Sequence, residues 1–250
     1  MIKNKYHSEE ILGIRVDYVD GQSVNLFIKD TIENGRKAKI GNVNINAMNL
    51  SITDITFKNY TNSADLVFCD GKGIQLAFFL QRKPIPPHVT YEVWMWQLLP
   101  FCHVNGYKLY FLGSKPGVAE RALTKIRNIY PTIQADFHHG YFDKDGKQND
   151  EIIDRINNFA PHVLIVGFGM PSQEDWIEKN IESLNTNVVL NGGAYLDWIS
   201  GDKRNCPTWM RNMGFEWLYR LMLEPKRLFR RYVLGNPQFI FRILKESYYA

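Results

Sequence analysis

From residue 107 to residue 201 the chain alternates between apolar runs that suit buried strands and amphipathic runs that suit helices. YKLYFLG reads as a strand, SKPGVAERALTKIRNIYP as a helix with Pro116 near its first turn, and IQADFHHG as a strand. DEIIDRINNFAP, HVLIVGFG and SQEDWIEKNIESL continue as helix, strand and helix. NVVLNGGAYLDWISG is then a strand leading through a glycine turn into a helix. Strands and helices alternating at this spacing predict an α/β fold, a parallel sheet flanked by helices on both faces. The first half is less regular. ILGIRVD and SVNLFIK read as short strands or as a strand followed by a helix start, and KIGNVNINAMNLSIT as a strand ending in polar residues. LVFCD is a short strand followed by a glycine turn and an apolar helix, and VWMWQLLPFC a buried helix ending near Pro100.

In an open parallel sheet, ligands bind at the carboxyl ends of the strands. The polar or glycine residues placed there are Asn46, Asp70, Gly113, Gly169, Gln173, Asn191 and Gly192. Asp70 follows the apolar LVFC and precedes Gly71. A carboxylate at that position can act as a general base or cap the next helix. GFGMPSQEDW follows a buried strand as a dinucleotide-binding turn does, but Ser172 replaces the third glycine and the next strand ends in Asn191 rather than an acid. A redox cofactor is therefore not expected. The turn still suits a phosphate or sugar through backbone N–H groups and Gln173, or serves as a plain strand–helix connection. Asp143-Lys144-Asp145 has the spacing some sugar-nucleotide transferases use for a metal, but DKDGK reads first as a polar turn. His138 and His139 are strand neighbours that point to opposite faces and cannot serve one ion. No metal or other cofactor is expected.

Beyond residue 203 the strand pattern stops. Residues 1–202 read as the α/β body and 203–250 as a helical appendage: Asn212 to Leu223 in one helix, a second opened by Pro225 and ended before Gly235-Asn236-Pro237, and a third in QFIFRILKESYY. The appendage carries all of the chain's positive excess. It has ten Lys/Arg against three Asp/Glu, a net of +7, whereas the preceding residues have 20 against 23, a net of −3. Trp209, Phe215, Trp217, Tyr219, Phe229, Tyr232, Phe239 and Phe241 interleave the charges. Arg220, Arg227, Arg230 and Arg231 form its strongest constellation, the last three sharing one helix face. Such a segment suits an anionic bilayer, nucleic acid or a phosphate-bearing substrate. The absence of a basic patch before residue 203 argues against nucleic acid. No apolar run approaches the ~20 residues that span a bilayer, and MIKNKYHSEEILG has no secretory-signal pattern. Cys69, Cys102 and Cys206 lack CxxC spacing and suit unpaired thiols in the cytoplasm. The expected location is thus cytoplasmic, peripheral on the inner face of the membrane.

GFGMPSQEDWI, VVLNGGAYLDWISG and PTWMRNMGFEWLYRLMLEPKRLFRRYVLGN, with supporting matches in GSKPGVAERA and HHGYF, resemble the WecG/TagA/CpsF glycosyltransferases, glycosyltransferase family 26. The resemblance runs from about Gly41 to Gln238. It implies a Rossmann-like body whose C-terminal appendage docks at the membrane and completes the active site. It also implies transfer of a hexose or N-acetylhexosamine-type sugar from a UDP-sugar donor to a polyprenyl-diphosphate-linked acceptor, building polymers such as capsule or exopolysaccharide. The family's catalytic aspartate falls on Asp70, its acceptor-side asparagine on Asn46, its pocket glutamine on Gln173, and its appendage arginines on Arg220, Arg227 and Arg230. On that reading Asp70 deprotonates the acceptor hydroxyl with inversion, and the arginines stabilise the departing UDP without a metal. Gln173, Asn191 and the Gly192-Gly193 turn orient nucleotide or sugar. The chain departs from the family at Asn44, where Thr is usual, at Tyr91 and Val93, where Gly and Asp are usual, and at Asn205-Cys206-Pro207 in place of RAP. These changes bear on donor and acceptor identity. A homo-oligomer, with the appendage at a subunit contact, stands beside closure of the appendage over its own body. A different class of function, a non-catalytic membrane-surface protein that recognises a nucleotide-sugar or lipid diphosphate, uses the same basic segment.

Overall fold

The computed structural model describes residues 6–249, so the reading of the first residues as leaderless lies partly outside it, on positions 1–5. Eight strands are described: β1 (Ser8–Ile11), β2 (Ile14–Asp17), β3 (Ala38–Val43), β4 (Leu66–Cys69), β5 (Leu109–Gly113), β6 (Ala135–His138), β7 (Val163–Gly167) and β8 (Val188–Asn191). The helices up to residue 104 are α1 (Gly21–Glu33), α2 (Ile45–Thr53), α3 (Ile55–Ser63), α4 (Lys72–Leu80) and α5 (Tyr91–Val104). Then follow α6 (Val118–Ile129), α7 (Lys147–Phe159), α8 (Ser172–Asn180) and α9 (Tyr195–Ser200). The C-terminal helices are α10 (Thr208–Asn212), α11 (Glu216–Leu223), α12 (Pro225–Phe229) and α13 (Gly235–Tyr249), with a π-helical turn over Arg230–Leu234. The chain is α/β with mostly parallel strands, flanking helices and a helical C-terminal segment, as the alternation predicts. It divides into two compact units. One comprises the described parts of Met1–Asp20, Asn42–Thr90 and Asn205–Ala250, the other Gly21–Gly41 and Tyr91–Arg204.

In the second unit the strands lie in the order β3-β8-β7-β5-β6, all parallel. Every residue of β5, β7 and β8 is buried, which requires cover on both faces. In α6, Val118, Ala119, Ala122, Leu123 and Ile126 are buried, the helical spacing of a face turned to the core. SVNLFIK belongs to a helix rather than a strand: Val24, Phe27, Ile28 and Thr31 are buried at steps of three and four. Trp94 on α5 anchors it by donating to Asn25 Oδ1 at 2.9 Å. Helix α5 also runs through Pro100 to Val104 instead of ending there. Burial of Leu98, Leu99 and Cys102 on either side outweighs the one backbone bond that proline forfeits, an effect of about 3 kcal/mol in an isolated helix.

In the first unit β1 and β2 form an antiparallel hairpin, from Ser8 opposite Asp17 to Ile11 opposite Ile14. Leu12 and Gly13 both take positive φ in its two-residue turn, the geometry that matches strand twist. Strand β2 runs parallel to β4, and buried Asp17 accepts the Val67 N–H at 2.7 Å. Helix α13 is bound into this unit by Phe239 and Ile243, both fully buried, each contributing about 1.5–3 kcal/mol. Asn49 on α2 donates to Gly235 O at 2.8 Å and accepts from Arg242 at 2.6 Å, and Gln81 donates to Glu246.

The C-terminal helices differ from the expected three. Gly214 takes φ +81° and separates α10 from α11, where one helix over Asn212 to Leu223 is expected. Conversely, Gly235-Asn236-Pro237 opens α13 rather than ending a helix. Pro237 lies in the first turn of α13, where a missing N–H is tolerated, and the backbone before it changes to wider π bonding, with Gly235 N–H donating to Arg230 O.

The carboxyl end of β7 leaves no room for a side chain. A Cβ on Gly167 would stand 2.6 Å from Gly193 O and 3.0 Å from Tyr195 Cε1. Gly167→Ala is expected to destabilise the fold by about 1–3 kcal/mol, read as a fall in Tm of several degrees. An unchanged Tm would contradict the close approach.

Candidate active site

Asp70 stands at the end of β4, whose four residues Leu66–Cys69 are all buried. Its N–H donates to Val43 O at 2.8 Å, which fixes the backbone at the strand end. The next residue, Gly71, has φ +103°, a conformation that favours glycine, and it is Gly71 that caps α4, with no side-chain cap bond. Asp70 is therefore not spent as a helix cap. Its Oδ2 accepts from Asn42 Nδ2 at 2.9 Å and from Asn44 Nδ2 at 3.2 Å. Asn44 also caps α2, its Oδ1 accepting the Ala47 N–H at 3.1 Å, so one side chain ties the start of α2 to the carboxylate.

Asp70 opens into a cavity of about 420 Å³, a volume suited to a small polar ligand. Asn46 from the first turn of α2 lines it, with Lys72 and His88. The C-terminal helices bring Arg211, Glu216, Trp217, Arg220 and Arg231. Four fixed cations, Lys72, Arg211, Arg220 and Arg231, thus meet two carboxylates, Asp70 and Glu216. Arg220 pairs with Glu216 one turn before it on α11, and Arg211 donates to Cys206 O at 3.1 Å. Arg231 lies 5.3 Å from the Tyr232 ring centre, and its Nε is buried with no partner among the described residues. Guanidinium stays charged under such desolvation, so the cavity holds a permanent positive charge directed at whatever enters.

Burial pushes the Asp70 carboxyl up from its ordinary 3.8 to about 6, and Glu216 pushes the same way. The Asn44 hydrogen bond, Arg220 and Arg231 oppose them. The folded chain thus binds this proton more tightly than the unfolded one. The linked stability is present below about pH 4 and is lost as pH rises through about 6. Above that pH the site holds a desolvated carboxylate, the state a general base needs. Burial and then Lys72 hold the His88 imidazole below its ordinary value, which favours a neutral ring.

Of the residues singled out in the sequence, Asp70, Asn46, Arg220 and Arg231 line this one cavity, with Trp217 and Tyr232 of the interleaved aromatics. Arg227 and Arg230 do not line it. Arg227 pairs with Glu224 on the surface of α12, and Arg230 is exposed. The neighbouring Arg231 lines the cavity, three residues after the buried Leu228 and beside the buried Tyr232, on the inward face of the helix. Asn42 and Asn44 went unassigned in the sequence, although alternate positions at a strand end share a face, and that spacing was a usable signal. Lys72, His88, Arg211 and Glu216 carried none.

Gln173, Asn191, Gly192 and Gly193 belong to the other unit. Gln173 is buried at the start of α8 and bridges two strand-end turns, its Oε1 accepting from Gly169 N at 3.1 Å and Gly193 N at 3.2 Å. Asn191 donates to the buried Glu174 at 2.7 Å, and Gly192 N–H donates to Val166 O at 2.7 Å. Asp143 and Asp145 serve the polar turn. Asp143 accepts the Asp145 N–H at 3.1 Å, and Asp145 pairs with Lys179 at 2.7 Å. The three cysteines are buried free thiols, and no helix among the described residues is long and apolar enough to cross a membrane.

A profile of the Glycosyl transferase WecG/TagA/CpsF family matches residues 9–249. Proteins of Staphylococcus aureus strains NCTC 8325 / PS 47, COL and MSSA476 are each 29% identical to this chain over 198 residues, covering 79% of this chain and 76% of the relative. Each is named N-acetylglucosaminyldiphosphoundecaprenol N-acetyl-beta-D-mannosaminyltransferase.

The ionisation of Asp70 can be read directly by carbon-13 NMR of labelled aspartate. The carboxyl is expected to titrate with a midpoint of about 6, moving down in Glu216→Gln and up in Asn44→Ala. A midpoint at the ordinary value of 3.8 would contradict the burial argument.

Proposed function

Because the chain belongs to the WecG/TagA/CpsF glycosyltransferase family, we propose that it moves an N-acetylhexosamine-type sugar, with N-acetylmannosamine the first candidate, from a UDP-sugar to a polyprenyl-diphosphate-linked saccharide. The S. aureus relatives' name supplies the sugar and the acceptor class, N-acetylglucosaminyl-diphosphoundecaprenol. The observation that carries the chemical reading is a half-buried carboxyl, its pKa raised to about 6, in a cavity that also holds four cations.

In the proposed reaction Asp70 removes the proton from an acceptor hydroxyl as its oxygen bonds to the anomeric carbon. The bond from that carbon to the UDP oxygen breaks on the opposite face, so configuration inverts and UDP leaves with both electrons. Asp70 ends protonated and passes the proton to solvent. Charge building on the leaving diphosphate is stabilised by Arg220 and Arg231, with Lys72 and Arg211 beside them, and no metal is required. Asn46 contacts the acceptor sugar, while Gln173, Asn191 and the Gly192-Gly193 turn orient the donor. Arg227 and Arg230 act at the membrane: they lie in a segment with exposed Trp209, Phe215 and Phe229, a composition suited to an anionic bilayer. The protein would then work from the cytoplasmic face, peripheral to the membrane, on a lipid-linked acceptor.

The test is UDP release and product analysis with UDP-N-acetylmannosamine and a short-chain N-acetylglucosaminyl-diphosphate lipid in EDTA. Asp70→Asn is expected to lower kcat by about 10²–10⁴-fold and Arg231→Ala by about 10²–10³-fold, with Arg230→Ala within a few fold on a soluble acceptor. A β-linked product is expected. Full activity of Asp70→Asn, loss of activity in EDTA, or an α-linked product would overturn the reading.

A further inference from the structure

Glu174 is a buried carboxyl that the proposed reaction does not use. It is 1% exposed, in the first turn of α8. Its Oε1 accepts two hydrogen bonds, from Gln173 Nε2 at 2.8 Å and Asn191 Nδ2 at 2.7 Å. Two buried atoms in this cluster have no hydrogen-bond partner among the described residues: Glu174 Oε2 and Asn191 Oδ1. Both are acceptors when the carboxyl is ionised, and they belong to residues already joined by one hydrogen bond. A buried acceptor left without a donor carries the full desolvation penalty of that group. A single proton on Oε2 makes it a donor, and the acceptor left over on the same partner is Asn191 Oδ1.

We infer that Glu174 is a positioning residue held as the neutral acid, its proton closing a two-bond acid–amide ring with Asn191 that locks Gln173 across the two strand-end turns. Gln173 is placed by three bonds: its Nε2 to Glu174, and its Oε1 from the N–H groups of Gly169 and Gly193. Loss of the Glu174 proton leaves two acceptors without donors and a buried negative charge. The ring that holds Asn191 then opens, and with it one support of the Gln173 bridge.

The surroundings favour the neutral form. Burial drives the Glu174 carboxyl up to about 7, and Asp175 adds to it, against the hydrogen bonds from Asn191 and Gln173. Strands β7 and β8 bring no ionisable side chain. Tyr91 donates to Asn191 O and Tyr195 to Ile165 O, both as neutral phenols. On α8 itself Glu178 pairs with Lys39 of β3 and Lys179 with Asp145, and Glu182 lies in the short turn that follows. No cation among these makes a hydrogen bond to Glu174. With a folded pKa above the ordinary 4.5, the linked stability is present below about that pH and is lost as pH rises through about 7.

The proton is tested without substrate. In the wild-type protein the Glu174 carboxyl, assigned by its absence from Glu174→Gln, should titrate near 7 by carbon-13 NMR. Glu174→Gln supplies an N–H to Asn191 at every pH. Its Tm should therefore lose the part of the wild-type decline that falls near pH 7, while Glu174→Ala should be less stable than both. Titration at the ordinary value of 4.5, or a Glu174→Gln protein whose Tm follows the wild type across this range, overturns the inference. If Glu174→Gln fails to fold, the carboxyl is assigned by through-bond correlation in the wild-type protein, and its titration decides. The consequence for transfer rests on the proposed function: KM for the UDP-sugar should rise with pH through about 7 in the wild type and stay flat in Glu174→Gln, with kcat little changed. A carboxyl that titrates near 7 with no response in KM would leave the acid–amide ring standing and remove Gln173 from the donor site.

Discussion

A half-buried carboxylate at the end of β4 is the constraint around which the first unit is arranged. Left alone, Asp70 would take up a proton rather than stay ionised in so little water. Asn42 and Asn44 meet one of its oxygens, and Arg220 and Arg231 reduce the cost of its charge. These groups come from opposite ends of the chain. The C-terminal helices are thus part of the electrostatics that let Asp70 ionise near pH 6. That explains why α13 is anchored so firmly, through Phe239, Ile243 and the Asn49 bonds to Gly235 and Arg242. Removing this packing would take the cations away from the carboxylate as well as destabilise the unit.

The second unit solves a different problem with the same elements. Its parallel strands end in turns where backbones approach closely, and Gly167 exists as glycine because Gly193 O occupies the space of a side chain. Gln173 then bridges those turns through backbone N–H groups, and Glu174 and Asn191 support it from within the core. A buried polar network of this kind holds one geometry only when every member is satisfied. That requirement makes the protonation state of Glu174 part of the structure.

Much of this was legible in the sequence where one physical signal dominated. Apolar runs separated by helical periods predict the parallel sheet, and an acidic residue following LVFC with glycine after it marks Asp70. The charge asymmetry beyond residue 203 marks the segment that supplies Arg220. Sequence reasoning lost accuracy where two local preferences competed. Pro100 signals a helix end, yet burial on both sides carries α5 past it. Gly235-Asn236-Pro237 signals a stop, yet a π turn runs directly into it and the chain continues as α13. Which of the clustered arginines faces the cavity depends on the burial of Leu228 and Tyr232 beside Arg231, which the spacing of the arginines does not show. Glu174 left no signal because its role depends on Asn191, seventeen residues away, donating to it inside the core.

The central claim is that the group titrating near 6 in the cavity is the base of the transfer reaction. The most direct test is kcat/KM against pH for the wild type and for Glu216→Gln, each compared with the Asp70 carboxyl titrated by NMR in the same protein. The account predicts an acidic limb with a midpoint near 6 in the wild type, and in the variant a limb that moves to lower pH by the same amount as the carboxyl. A limb that stays in place while the Asp70 titration moves would contradict it.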